Sequence, residues 1–131
     1  MSNSNRDLGN WGEQLAGDFL EKRGCIILER NFQKRGGEID IIARENNTLH
    51  FVEVKTRKSA NIQRFGLPEE AVNPAKQKKI IKTALIYLSE KGSSENINWQ
   101  FDVVAIVYSK DTQRAKIVLI ENAFEGGEIV D

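Results

Sequence analysis

Apolar positions along this chain change their period several times, and each change marks an element. From Leu8 to Arg23 they recur at helical spacing, with Leu8, Trp11, Leu15 and Phe19 on one side and Leu20 at its edge. Asp7 offers an N-cap and Gly24 a stop. Cys25 to Gln33 reads as a strand, and Lys34-Arg35-Gly36-Gly37 as a turn. Two further β-rich runs, about residues 38–45 and 48–56, flank Asn46-Asn47, a good two-residue hairpin turn because Asn tolerates positive φ. Residues 57–67 lack periodicity and read as a mobile loop. Asn73 caps a second helix with Pro74 at its first position and Ile80, Ile81, Ala84, Leu85 and Leu88 as its apolar stripe, and Lys91-Gly92-Ser93-Ser94 ends it. Trp99 to Tyr108 is a strong strand and Ala115 to Ile120 a shorter one. The order αβββαββ predicts an α/β domain with a mixed sheet over residues 7–121, between a disordered tail (1–6) and an acidic one (122–131).

Composition narrows the chemistry. No apolar run approaches the roughly 20 residues of a membrane span, and Met1 to Arg6 lack the apolar core of a signal peptide. The single cysteine, Cys25, excludes an intrachain disulfide and fits a reducing cytoplasm. With one cysteine and one histidine, His50, a Cys- or His-rich zinc site is excluded, so a bound metal is expected to be a hard cation on oxygen ligands, Mg²⁺ or Mn²⁺. Net charge is zero, which at first argues against a nucleic-acid partner. Four acidic residues fall at Glu121, Glu125, Glu128 and Asp131, however, leaving 19 basic against 15 acidic residues in the first 120, a net of +4. The bases cluster at Lys34-Arg35, at Lys55, Arg57, Lys58 and Arg64, and at Lys76, Lys78, Lys79 and Lys82. Either a local basic surface or ordinary solvated faces would look like this.

The hairpin concentrates the polar exceptions. If its turn is Asn46-Asn47, Glu45 pairs with Thr48, Asp40 lands opposite Glu53, and Glu38 opposite Lys55. Alternation then puts Asp40, Glu53 and Lys55 on one face. Like charges directly opposite are destabilising, and a divalent cation or a shared proton would relieve them. A half-exposed sheet with cross-strand salt bridges explains Glu53 and Lys55, but explains Asp40 only if charges also pair diagonally. Glu13 falls at the border of the apolar side of the first helix, whose flank Gly9, Gly12 and Ala16 keep small; it either reaches a site on the sheet or is an ordinary surface residue. His50 points away from the Glu53 face and reads as a solvated or core-edge histidine. Asp102 shares a face with Val104 and Ile106 and reads as the partner of a buried turn or arginine. Trp99 and Phe101 read as core.

Glu13, Gly37-Glu38-Ile39-Asp40 and Phe51-Val52-Glu53-Val54-Lys55 resemble the core of the PD-(D/E)XK nuclease superfamily. More closely, the chain resembles the bacterial YraN-like family, through those residues together with Gly12, Arg30-Asn31-Phe32, Thr56-Arg57, Ala71-Val72 with Lys76, and Phe101-Asp102-Val103-Val104, over about residues 8 to 121. Within the superfamily the arrangement is most similar to archaeal Holliday-junction resolvases, in which a helix glutamate joins the Asp and Glu-x-Lys residues. The resemblance implies a restriction-endonuclease-like fold. It also implies that Asp40 and Glu53 bind one or two Mg²⁺ (or Mn²⁺), with Glu13 and the Val54 carbonyl as further ligands. Lys55 would orient or deprotonate the attacking water, or stabilise the phosphorane. Lys76 would contact phosphate, with Arg57, Lys58, Arg64 and Lys79 completing a nucleic-acid surface. Ile39 stands where the superfamily's signature proline precedes Asp40.

The expected protein is thus a cytoplasmic, Mg²⁺-dependent endonuclease acting on nucleic acid, DNA first, with no membrane partner and with a homodimer compatible. The alternatives are a non-catalytic nucleic-acid-binding module on the same scaffold, and an interaction protein whose carboxylates serve only structure.

Overall fold

The computed structural model describes residues 4–59, 72–92 and 97–124, with residues 4–6 described by backbone alone. The expected loop lies outside the described residues from Ala60 onward, as do most of the acidic tail, from Glu125, and Ser93-Ser94 at the expected end of the second helix. Among the described residues are α1 (Ser4–Lys22), β1 (Ile26–Lys34), β2 (Gly37–Glu45), β3 (Thr48–Lys58), α2 (Pro74–Glu90), β4 (Asn98–Ser109) and β5 (Arg114–Phe124), in the order αβββαββ.

The fold is α/β, with a five-stranded mixed sheet in the spatial order β1-β2-β3-β4-β5. Pairing is antiparallel except between β3 and β4, which are parallel. Parallel neighbours need a crossover, and α2 lies in that connection. The hairpin register is the one its turn dictates: Glu45 pairs with Thr48, and Asn46 takes a φ of 54°. The strands outrun their apolar patterns. β3 continues through Arg57 and Lys58, because its parallel partner carries the ladder to Lys58↔Tyr108, so these two residues belong to a strand rather than to a loop. β5 extends to Phe124, whose ring stacks on Phe101 at 4.8 Å.

Each sheet face has its own core. On one side Ile80, Ile81, Ala84 and Tyr87 of α2 pack on Ile42, Phe51, Phe101 and Val103. Fully burying such aliphatic or aromatic side chains stabilises by about 1.5–3 kcal/mol each. Asn73 caps α2 as the pattern predicts, its side chain accepting from the Lys76 N–H at 2.9 Å with Pro74 next in line. On the other side Ala16 and Leu20 of α1 pack on Ile41, Ala43, Val52 and Val104.

α1 is rotated from the orientation its large residues suggest. Trp11 stays 39% exposed, while Gly12, Ala16 and Leu20 face the sheet. The reason is steric: a Cβ at Gly12 would overlap the Thr56 hydroxyl, so glycine lets the helix settle onto β3. That rotation turns Glu13 toward the sheet. Gly37 does the same service for α2, since a Cβ there would overlap the Thr83 hydroxyl. No helix among the described residues is long and apolar enough to cross a membrane.

Candidate functional site

The β2–β3 ladder runs from Glu45↔Thr48 to Ile41↔Val52, and the next pair would be Asp40 and Glu53. There the strands change their bonding. The Val54 N–H donates to Asp40 Oδ2 at 2.8 Å, a side-chain acceptor in place of a ladder carbonyl. Alternation on β2 is also interrupted: Ile39 packs with the α2-side core while Ile41, two residues on, packs with the α1-side core. On the other flank the β1–β2 register is the same at Arg30↔Ile41 and Phe32↔Ile39, with Asn31 and Asp40 between them, and Asn31 sits in left-handed backbone with a φ of 53°. Asp40 therefore lies at a local twist, its carboxyl hydrogen-bonded to that of Glu53. The expected Glu38–Lys55 pair does not form. The hairpin ladder has ended by then, so Glu38 pairs with Gln33 of β1 and accepts from its side-chain amide at 2.9 Å.

Beside this twist lies a cleft of about 520 Å³ lined by Glu13, Asp40, Glu53, Lys55, Lys76 and Lys79, with Val54 in its wall. Burial pushes the Asp40 carboxyl up, and Glu53 adds to this through a hydrogen bond and its charge, raising it to about 9. Burial opposes ionisation of Glu53 too, but the Asp40 hydrogen bond and the ammonium groups of Lys76 and Lys55 outweigh it and hold Glu53 below the ordinary range. Without a metal the pair thus shares one proton near neutral pH. Lys76 Nζ lies 2.5 Å from Glu53 Oε2, and Lys55 Nζ lies 3.7 Å from it. Glu53 Oε2 is nonetheless a buried oxygen with no well-directed hydrogen bond; its contact with Lys76 is ionic. Burial, followed by the neighbouring Lys76, depresses the Lys55 ammonium, drawing it toward the free-amine form. Glu13 is half-buried, and burial and then the Glu38 charge raise its carboxyl, against a hydrogen bond with Asn31.

All four residues expected to carry catalysis, Glu13, Asp40, Glu53 and Lys55, line this one cleft although α1 and α2 pack on opposite sheet faces. The basic residues divide. Lys76 turns inward onto Glu53 instead of presenting a free ammonium, and Lys79 is exposed on the cleft wall. Arg57 lies along β3, donating to the Thr56 carbonyl at 2.9 Å, and Lys58 is half-buried at the end of the same strand. Arg64 lies outside the described residues. Two contributors were not visible from the residue pattern, the inward reach of Lys76 and the left-handed Asn31 whose side chain lowers the Glu13 carboxyl. An asparagine in a strand, a residue type that tolerates positive φ, was the only available sign of the latter.

A second polar cluster lies on the other sheet face, nearer the hairpin turn. His50 Nδ1 and Asp102 Oδ2 are 2.6 Å apart, both residues buried. Asp102 Oδ1 accepts from Gln100 Nε2 at 2.9 Å and from the Asn122 N–H at 3.0 Å. The register shift between Phe101 and Val103 leaves Glu121 to Ala123 bulged opposite Asp102. Asp102 is thus the partner of a bulged strand and a histidine, not of an arginine, and His50 is core rather than solvated. Atoms of His50, Asp102 and Glu121 approach within 4.8 Å of one another, yet hydrogen bonds inside the protein already engage both Asp102 oxygens.

The donors of the first cluster are the kind a hard divalent cation takes, two adjacent carboxyls with one proton to be released on binding, but Glu13, Asp40 and Glu53 do not bring one oxygen each within 4.8 Å of one another as His50, Asp102 and Glu121 bring their ligand atoms. Asp40, Glu53, Glu13 and the Val54 carbonyl are the oxygens available along the cleft.

Comparison with known proteins bears on the same residues. Residues 12–106 match the uncharacterised protein family UPF0102, a span that includes both carboxylate strands, Lys76 and Asp102. A UPF0102 protein of Geobacter sulfurreducens is 49% identical over 125 residues, covering 95% of this chain and 93% of the relative. One from Clostridium botulinum strain 657 is 42% identical over 125 residues, covering 95% and 99%. The chain belongs to the uncharacterised protein family UPF0102.

Proposed function

We propose that this protein is a metal-dependent nuclease of the PD-(D/E)XK type that hydrolyses phosphodiester bonds in nucleic acid, DNA first. The observation that carries the proposal is the buried pair of adjacent carboxyls, Asp40 and Glu53, at the base of a cleft bordered by lysines. A purely structural network has no need of two adjacent buried carboxyls, one of them raised to about 9 by burial and by the other.

Mg²⁺ or Mn²⁺, when bound, supplies an acidified water and polarises the scissile phosphate. The chain supplies the rest. Asp40 and Glu53 are the principal ligands, oriented by the Val54 N–H and by burial, and Glu13 and the Val54 carbonyl complete the oxygen set. Lys55, on the same face as Glu53 and with its ammonium weakened by burial, orients the attacking water or takes its proton. Lys79, with Arg57 and Lys58 farther along β3, meets the phosphate backbone, and such contacts make affinity fall steeply with salt.

A non-catalytic nucleic-acid-binding module is the second reading. It is favoured by the Lys76–Glu53 ion pair, which neutralises the carboxylates without any metal. One experiment separates the two: purified protein is incubated with labelled branched, flapped and linear DNA, and with RNA, in Mg²⁺, in Mn²⁺ and in EDTA. The nuclease reading expects metal-dependent cleavage that Glu53→Gln abolishes. Binding without cleavage by a protein that takes up no Mn²⁺ at millimolar concentration would overturn it in favour of the binding module.

A further inference from the structure

We propose that Lys76 is a built-in counter-ion, holding the Asp40–Glu53 pair while no divalent cation is present and leaving Glu53 when one binds. This inference rests on the metal-site reading above and assigns the site a threshold set by the chain itself.

The geometry is asymmetric in a way that suits displacement. Lys76 sits in the first turn of α2, where its backbone N–H is tied to the Asn73 cap at 2.9 Å, so its stem starts from a fixed point on the rim. Its ammonium reaches Glu53 Oε2 at 2.5 Å, yet its side chain is 39% exposed against 6% for Glu53. The cation has a much freer route to water than the carboxylate. Lysine is also a point charge on a flexible four-carbon stem, with no fixed fork to hold it in place. Glu53 Oε2 lacks a directed hydrogen bond, so the ion pair is the interaction that a metal must replace. A divalent cation held by Asp40 and Glu53 would bring a second positive charge to the same carboxylate, and like-charge repulsion would displace the one that is mobile. Lys55 is less able to take this part: its Nζ is 3.7 Å from Glu53 and its side chain is only 13% exposed. Lys79 provides an internal comparison, since it lines the same cleft with an ammonium that makes no ion pair with Glu53 among the described residues.

The test is calorimetric titration of the full chain with Mn²⁺ alone, comparing wild type with Lys76→Met, Lys76→Arg and Lys79→Met. Loss of a competing ion pair should make Lys76→Met bind Mn²⁺ about tenfold more tightly than wild type, while removing a non-contacting charge in Lys79→Met changes affinity less than about threefold. Lys76→Arg, which keeps a competing cation, should stay near wild type. In EDTA, Lys76→Met should melt below wild type, because its carboxylates have lost their counter-ion, and Mn²⁺ should raise its melting temperature more than that of wild type. Equal Mn²⁺ affinities for Lys76→Met and wild type would overturn the counter-ion role and leave the metal site standing. A gain in Lys76→Met matched by Lys79→Met would reduce the effect to general electrostatics and also overturn it. Absence of Mn²⁺ binding by wild type and Lys76→Met alike would overturn this inference and the metal-site reading together.

Discussion

Replacing Asp40 by asparagine should make the metal-free protein more stable near neutral pH. Asp40 is a buried carboxyl held protonated by desolvation and by Glu53, with its folded value near 9 against an ordinary 3.8. A carboxyl whose pKa is raised on folding contributes its full stability below the unfolded value. That stability is lost progressively as pH rises toward the folded value. From 3.8 to pH 7 is roughly three units, at about 1.36 kcal/mol each, so the pair carries a protonation cost at neutral pH of at most about 4 kcal/mol, less what the lowered Glu53 carboxyl returns. Asparagine is neutral at every pH, keeps an oxygen for the Val54 N–H, and offers an amide to Glu53 in place of the shared proton. Asp40→Asn should therefore recover a large part of that energy at pH 7 and little at pH 4. The same substitution should remove divalent-metal binding. The assay is urea unfolding in EDTA at a series of pH values between 4 and 8, for wild type and variant. The stability difference should widen with rising pH. A variant less stable than wild type at pH 7, or a difference that does not change with pH, would refute the shared-proton argument and mark the pair as a stabilising charge network.

Lys55→Ala should retain Mn²⁺ binding by calorimetry and lower any cleavage rate by about 100-fold or more, because the proposed role of this lysine lies in the chemical step; loss of the metal itself would contradict that role. For His50, the hydrogen bond to Asp102 raises the pKa above the ordinary 6.5, and burial opposes this without cancelling it. Its stability contribution should be full below about pH 6.5 and fade as pH rises through the folded value, and an NMR titration of the ring should show the raised midpoint falling in Asp102→Asn. Gly12→Ala should destabilise by about 1–3 kcal/mol through its overlap with Thr56, against the roughly 1 kcal/mol gain that alanine gives in an open helix position. Thr56→Ala should restore part of the loss in thermal unfolding; a stabilised Gly12→Ala would contradict the close approach of α1 to β3.

Local rules determined most of the frame. Helical spacing, the Asn73-Pro74 cap and the Asn46-Asn47 turn are short-range features, so the element order, the α2 start and the hairpin register were legible from residues alone. The same turn carries the register to Ile41↔Val52, one pair short of Asp40 and Glu53, so it brought these two carboxyls close without pairing their backbones. Where the ladder ends is not local. The Glu38–Lys55 pair extrapolated from the register is absent because β2 leaves β3 at Asp40, opposite a left-handed Asn31 on a strand that the hairpin does not contain. β3 ran past its apolar pattern because its parallel partner β4, more than forty residues on, supplied hydrogen bonds to Arg57 and Lys58 irrespective of side chain. The face α1 turns to the sheet departs from its large apolar residues for a related reason. A helical wheel weighs large apolar residues, whereas packing on a sheet is limited by closest approach, which Gly12 and Ala16 permit and Trp11 does not. Lys76 shows the division most clearly. Its sequence position announced a cation at the start of a helix, and only the packing of α2 across the sheet decided that this cation would rest on a buried glutamate, because an ion pair between residues 53 and 76 exists only where the fold brings their charges within reach.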